Sequence, residues 1–450
     1  MNLSDLHRVY FIGIGGIGMS ALARYFHHLG KTVAGYDRTR TPLTIQLEEA
    51  GIAIDYTASE GRISLEFIQI SGTLVVYTPA VPSDLPKLVF FRENQFLIKK
   101  RSEVLGSITK DTFCFAAAGT HGKTTTSSIL AHMLKEIETP FAAFLGGISE
   151  DFNSNFAFYG RKFSVVEADE FDRSFLQLNP DIACITSMDA DHLDIYGTAS
   201  DLEQAFIAFS KKVKSQGKLV VRYGLPLQGI TFGMEQEADY SIGDITVEEG
   251  KYRFVIRMPK GMVEDVVFHK PGHHNLLNAL AAFVMGVEAG FSPNKLAKAL
   301  SSFKGVQRRF SYLIRKKDFV FIDDYAHHPT EIEAVYQAIS EMHPDHSITV
   351  VFQPHLFSRT KDFAEDFATS LEKFDCVLLL EIYPARELPI PGITASWLLE
   401  KIRNPNKKVI AKADIAQEVR ECATDILVTL GAGDIGLEVP KIKKELAYAS

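Results

Sequence analysis

The chain has 450 residues, enough for about three domains of ordinary size. Hydrophobic residues make up 46% and charged residues 23%, a globular balance, and a net charge of −8 excludes the broad basic field that general nucleic-acid binding needs. Small anionic ligands must then be held by local groups.

In chain order, the first predicted element is the apolar run Val9–Ile14, which ends in glycines and precedes a helical stretch, Met19–Leu29. The glycines Gly13, Gly15, Gly16 and Gly18, with Ile17 among them, form a GxGxxG pattern between strand and helix. Such a turn lets the backbone approach a pyrophosphate at a helix N-terminus. Asp37 follows the next predicted strand, Thr32–Tyr36, where a ribose-binding acid belongs. Alone, this region reads as a nicotinamide dinucleotide site. A UDP-sugar offers the same pyrophosphate and ribose hydroxyls, and a ligand-free tight turn is the bland alternative.

The strand Phe113–Ala118 leads into Ala117–Thr124, and Thr125–Lys135 reads as a helix. Against the phosphate-loop pattern GxxxxGK[ST], only the first glycine is replaced, by Ala117. Gly119 and Gly122 let amides face phosphates, Lys123 places a charge between the terminal phosphates, and Thr124 offers a hydroxyl to magnesium. Thr120, His121 and Thr125 belong to the same loop. A hydride-transfer enzyme has no use for a second, triphosphate site, so the dehydrogenase reading weakens.

Two apolar strands then end in acids: one carries Glu167, Asp169 and Glu170, and Ile182–Met188 runs into Asp189, Asp191, His192 and Asp194. Acids at the carboxyl ends of parallel strands face the ligand crevice and suit magnesium beside phosphates. One of Glu167 and Asp169 is expected to face the site, since strand residues alternate. His192 is a softer ligand, and a plain loop histidine competes with the metal reading. Strand-like runs at Phe319–Ile322 and Ile348–Phe352 open a third region. The alternation predicts α/β architecture with mostly parallel sheets and boundaries near residues 108 and 311. Cys114, Cys184, Cys376 and Cys422 form no CxxC pair, so four free thiols are expected. No signal-peptide pattern and no apolar run of ~18–20 residues appear, so the expectation is a soluble cytoplasmic protein without membrane insertion.

These residues sit in motifs that resemble the Mur ligases over nearly the whole chain. The landmarks are GIGGIGMSALA (13–23), AGTHGKTTT (118–126), EADEFDRSF (167–175), DADHLDIYG (189–197), HHNLLNALAA (273–282), RRF (308–310), DDYAHHPTE (323–331), FQPHLFSRT (352–360) and GAGDIG (431–436). The resemblance implies a Rossmann-like UDP-binding domain (1–108), a central phosphate-loop ATPase domain (109–311) and a Rossmann-like C-terminal domain (312–450). It implies ATP-dependent ligation of L-alanine to the carboxylate of UDP-N-acetylmuramate through an acyl phosphate, in peptidoglycan precursor synthesis. The enzyme would work without nucleic acid, as a monomer or weak homodimer.

By the same resemblance Lys123 neutralises the β- and γ-phosphates, Thr124 and Glu167 hold one magnesium, and His192 a second. Asn275 and Asn278 contact adenine, Arg308 or Arg309 clamps the γ-phosphate, and Asp323 or Asp324 takes the ATP ribose. Tyr325, His327, His355 and Arg359 lie near the alanine and the transferring phosphate. Leu356 stands where some members carry an arginine, which leaves Arg359 alone for the amino-acid carboxylate. Segment 202–209 has no lysine, so no carbamylated lysine is expected. Competing readings are a recycling ligase that joins a tripeptide to UDP-N-acetylmuramate, the dehydrogenase, and a non-catalytic nucleotide switch.

Overall fold

The computed structural model describes residues 5–59, 63–189, 196–248, 250–316, 318–385 and 387–447. Short runs dense in Val, Ile, Phe and Ala become strands buried on both faces, as parallel sheets covered by helices require. Arg8–Ile12, Phe113–Ala118 and Ile348–Phe352 are each buried over nearly their whole length. The described residues form an α/β fold with three sheets, and the chain divides into two compact units.

The first unit is Met1–Thr246, Arg253–Phe268 and Leu277–Lys304. Its five-stranded sheet is parallel, in the order Ala53–Asp55, Thr32–Tyr36, Arg8–Ile12, Thr73–Tyr77, Leu97–Lys100. Arg8 lies opposite both Thr32 and Thr73. The chain leaves Arg8–Ile12 to one side and later returns on the other, so Gly13 emerges at a topological switch point, where such sheets bind ligands.

Ten strands make the other sheet of this unit. At its centre Phe113–Ala118 pairs in parallel with Ile182–Ile185 on one side and Phe163–Glu167 on the other. Gly119, Glu167 and Thr186 therefore leave the sheet at one carboxyl edge. The strand from Ile182 stops at Ile185, short of the expected Met188, and the Thr186 amide and hydroxyl beyond it both donate to the Ala118 carbonyl, each at 3.0 Å.

The second unit is Val247–Tyr252, His269–Leu276 and Gly305–Ser450. Its sheet runs Ser311–Arg315, Val320–Asp324, Ile426–Leu430, Ile348–Phe352, Cys376–Leu379, Lys407–Val409, and only the Ser311–Arg315 edge is antiparallel. Alternate residues feed two cores: Ile322, Val350 and Val428 on one face, Phe321, Val351 and Leu427 on the other.

The expectation of four free thiols is corrected here. Cys376 and Cys422 form a disulfide, with Cα atoms 6.4 Å apart, within the usual range. They lie 46 residues apart in sequence, Cys376 at the start of a strand and Cys422 at the end of the helix Ile415–Cys422. Cys114 and Cys184 are free and buried. Among the described residues no helix is long and apolar enough to cross a membrane.

Candidate active site

The phosphate loop forms as its residue types demand. Gly119 and Gly122 adopt φ of 133° and 83°, in the region that favours glycine. A Cβ at Gly119 would stand 2.2 Å from the Thr186 hydroxyl, and one at Gly122 would stand 2.3 Å from Asn278 Oδ1. The missing first glycine has a simple reason. Ala117 is still inside the strand, opposite Cys184 and Glu167, where a turn residue has no use. Ser187 fixes the loop from below, pairing with the Thr120 hydroxyl at 2.9 Å and accepting from the His121 amide at 2.8 Å. The helix Lys123–Glu136 starts directly at the loop.

Lys123 Nζ donates to the Gly119 carbonyl at 2.6 Å and to Glu170 at 2.8 Å. The Glu170 side chain is 0% exposed, and Tyr196 Oη donates to its carbonyl at 2.5 Å. Burial pulls the ammonium pKa down, but Glu170, Asp169 and Glu167 together hold it above its ordinary value. Thr124 Oγ1 donates to Glu167 at 2.9 and 3.0 Å. Of the two strand-end acids left open by the sequence, Glu167 is thus the one at the loop. Asp169 turns towards Arg101, at 3.8 Å. His192, Asp191 and Asp194 lie outside the described residues.

At the glycine cluster, the amides of Gly13 and Ile14 donate to the Tyr36 carbonyl at 2.7 and 3.0 Å. Asp37 accepts from the Gly15 amide at 2.7 Å and the Thr39 amide at 3.1 Å. Asp37, the acid expected at a ribose, thereby also holds the loop in shape. The helix Ile17–His28 begins two residues earlier than its periodicity suggests. Gly16, Ile17 and Gly18 line a cavity of about 350 Å³ together with Arg101, Glu167 and Asp169.

In the second unit, Arg308 donates to Asp323 at 3.1 Å and to the Gly431 carbonyl at 2.6 Å, and Thr429 donates to Asp323 at 2.8 Å. Asp324 accepts from the amides of Phe310 and Ala326 at 2.6 and 2.7 Å. Burial pushes its carboxyl up to about 6. Both guanidinium groups, of Arg308 and Arg309, lie over the Tyr325 ring at 5.2 and 5.3 Å. His327 packs edge-on to Tyr325 and His355, and its Nδ1 is 3.2 Å from Glu331. His355 stacks on Tyr383, and Arg359 is buried. Leu356 has a left-handed φ of 71°, uncommon for a bulky residue. Asn275 is buried in the helix His273–Glu288, with its amide on the Pro271 carbonyl at 2.7 Å.

Sequence reasoning passed over Glu170, Arg101, Thr186 and Ser187 as individual contributors. Glu170 had a signal, since it ends the acidic run after Glu167. Arg101 had none, because it reaches the cavity from the helix after Leu97–Lys100, far in sequence from both the glycine loop and Glu167.

The Mur ligase middle domain matches residues 117–286, the Mur ligase family catalytic domain residues 8–112, and the Mur ligase glutamate ligase domain residues 308–441. The chain is 55% identical to UDP-N-acetylmuramate–L-alanine ligase of Flavobacterium psychrophilum over 446 residues, covering 99% of each. It is 53% identical to the enzyme of that name from Flavobacterium johnsoniae, again over 99% of each. The crystal structure of UDP-N-acetylmuramate-alanine ligase from Thermotoga maritima superposes with a TM-score of 0.84 at 28% identity, covering 98% of this chain and 100% of that one. Matched from end to end in this way, the chain belongs to the Mur ligase family of ATP-dependent, amide-bond-forming ligases.

Proposed function

We propose that this ligase joins L-alanine to the carboxylate of UDP-N-acetylmuramate in peptidoglycan precursor synthesis. The cavity in the first unit is the observation that carries the reading. The glycine loop and Glu167 line one space, and Glu167 accepts from the phosphate-loop hydroxyl of Thr124. A sugar nucleotide seated on the glycine loop directs its acid end towards the phosphate loop. The acid's carboxylate attacks the γ-phosphorus of ATP and ADP leaves. The amine of L-alanine then attacks the acyl carbon and phosphate departs. The full-length likeness to enzymes named for this reaction supports the same reading.

Lys123 offsets charge on the γ-phosphoryl group. Arg308 is engaged by Asp323 and Gly431, so we assign the phosphate clamp to Arg309. Asn275 and Asn278 are assigned to adenine, and Asp323 or Asp324 to the ATP ribose. Tyr325, His327, His355 and Arg359 serve the amino acid and the transferring phosphate.

The residues present fit magnesium. Thr124 and Glu167 offer a hydroxyl and a carboxylate, an all-oxygen set for an ion that keeps water and phosphate ligands. Gly146 leaves the carboxylate room, since a Cβ there would stand 2.0 Å from Glu167 Oε2. Bound there, the ion would neutralise phosphate charge. The same reading keeps three domains, 1–108, 109–311 and 312–450, a cytoplasmic location and a monomer or weak homodimer.

The test is phosphate release from ATP with magnesium and UDP-N-acetylmuramate, comparing L-alanine, glycine, L-serine and the tripeptide. Release with L-alanine is expected. Release with the tripeptide and none with a single amino acid would move the enzyme to the recycling class, and turnover with NAD and no ATP would end the ligase reading.

A further inference from the structure

We propose that Arg101 is the side chain that grips the diphosphate of the sugar-nucleotide substrate; this rests on the substrate reading above. Arg101 opens the helix Arg101–Lys110, and Glu103 fixes that helix start by accepting from the Lys100 amide at 2.8 Å. The side chain lies across the glycine loop. A Cβ on Gly18 would come within 3.0 Å of Arg101 Cδ and Nη1. A side chain on Gly18 would therefore crowd the guanidinium.

Among the described residues the nearest acid, Asp169, is 3.8 Å from Nη2, beyond hydrogen-bond length. Arg101 thus has a Coulombic neighbour that keeps it in the cavity while its planar donors stay available. The side chain is 20% exposed and lines the same cavity as Gly16, Gly18 and Glu167. A guanidinium fork matches phosphate oxygens bidentately. Its approach to Gly18 sets the guanidinium against the glycine loop, where the diphosphate of a nucleotide seated on that loop would lie.

The test is calorimetric binding of UDP-N-acetylmuramate, UDP-N-acetylglucosamine and UDP to the full chain, with Arg101→Ala and Arg101→Lys beside wild type. UDP-N-acetylglucosamine has the diphosphate but lacks the lactyl carboxylate. Arg101→Ala is expected to weaken all three by at least about tenfold, and Arg101→Lys less, because a point charge keeps attraction without the fork. The KM for ATP and the melting temperature should not move. A loss confined to UDP-N-acetylmuramate would assign Arg101 to the carboxylate and overturn the proposal. Unchanged binding, or an equal rise in the KM for ATP, would overturn it as well. Wild-type protein that binds none of the three would overturn the substrate reading first and the arginine's role with it.

Discussion

Lys123→Ala removes an ammonium that the fold buries against Glu170 as well as the proposed phosphate contact. Two losses follow. Phosphate release should fall by at least about a hundredfold, the scale of deleting one charge-stabilising group. Stability should fall by on the order of 2 kcal/mol, because the buried Glu170 loses its cation. Adding Glu170→Gln should restore the melting temperature without restoring turnover. Calorimetry and an assay on the same three proteins check both halves, and full turnover in Lys123→Ala would remove the phosphate-loop argument.

Two residues of the second unit respond to pH in opposite senses. Burial pushes the Asp324 carboxyl from its ordinary 3.8 up to about 6; Glu331 adds to this, while Arg309 and the Phe310 and Ala326 amides oppose it. Its folded pKa is the higher one, so its contribution is fullest below pH 3.8 and is lost as pH rises through about 6. Burial pulls the His274 ring from 6.5 down to about 4, helped by Arg309 and His273 and opposed by Glu331. Its contribution is present above pH 6.5 and is lost as pH falls towards 4. Asp324→Asn should therefore lose more stability than wild type on acidification from neutral to about pH 4.5, by on the order of 2 kcal/mol. His274→Gln should lose less than wild type, by a smaller margin since the ring is only partly buried. Urea unfolding at both pH values checks this, and parallel behaviour of all three proteins would contradict it.

At the scale of elements, glycines with similar backbone angles have different roles. Gly119 and Gly290 both have positive φ, 133° and 92°. An added Cβ meets the Thr186 hydroxyl at 2.2 Å in the first case and nothing within 4 Å in the second. Gly290→Ala should cost only the backbone strain, about 1–2 kcal/mol, with turnover kept. Gly119→Ala should distort the phosphate loop and raise the KM for ATP by roughly tenfold or more, since the loop amides must face phosphate. Equal effects on turnover would refute the distinction. The phosphate loop was legible in the sequence because its strand, glycines, lysine and helix are contiguous. Even its departure, Ala117, has a local cause in strand register. The glycine cluster was legible as a turn, but the hydrogen bonds that tie Asp37 to the Gly15 and Thr39 amides were not. Glu170 and Arg101 meet their partners from other strands and helices, and no window of sequence contains both ends of those contacts.

For the molecule as a whole, alternating apolar runs and amphipathic stretches announced α/β architecture, because parallel strands must be covered on both faces. Strand order, the antiparallel edge at Ser311–Arg315 and the Cys376–Cys422 link were not announced. Each depends on crossovers between distant segments. The link closes a loop of 46 residues, which in the chain-entropy account is worth about 4 kcal/mol. Denaturant unfolding with and without dithiothreitol should differ by that order, and Cys376→Ser/Cys422→Ser should be indifferent to the reductant. A wild-type curve that ignores the reductant would show that the link contributes nothing to stability.

The bond between Lys123 and Glu170 also bears on which anions the loop admits. An ammonium already matched to a buried carboxylate gives little to a small, weakly charged visitor, because that visitor must outcompete a tethered partner whose local concentration is high. A triphosphate brings several negative groups and the loop amides to the exchange at once. Phosphate and sulfate alone are therefore expected to bind the loop weakly, and a nucleotide to displace the Glu170 contact.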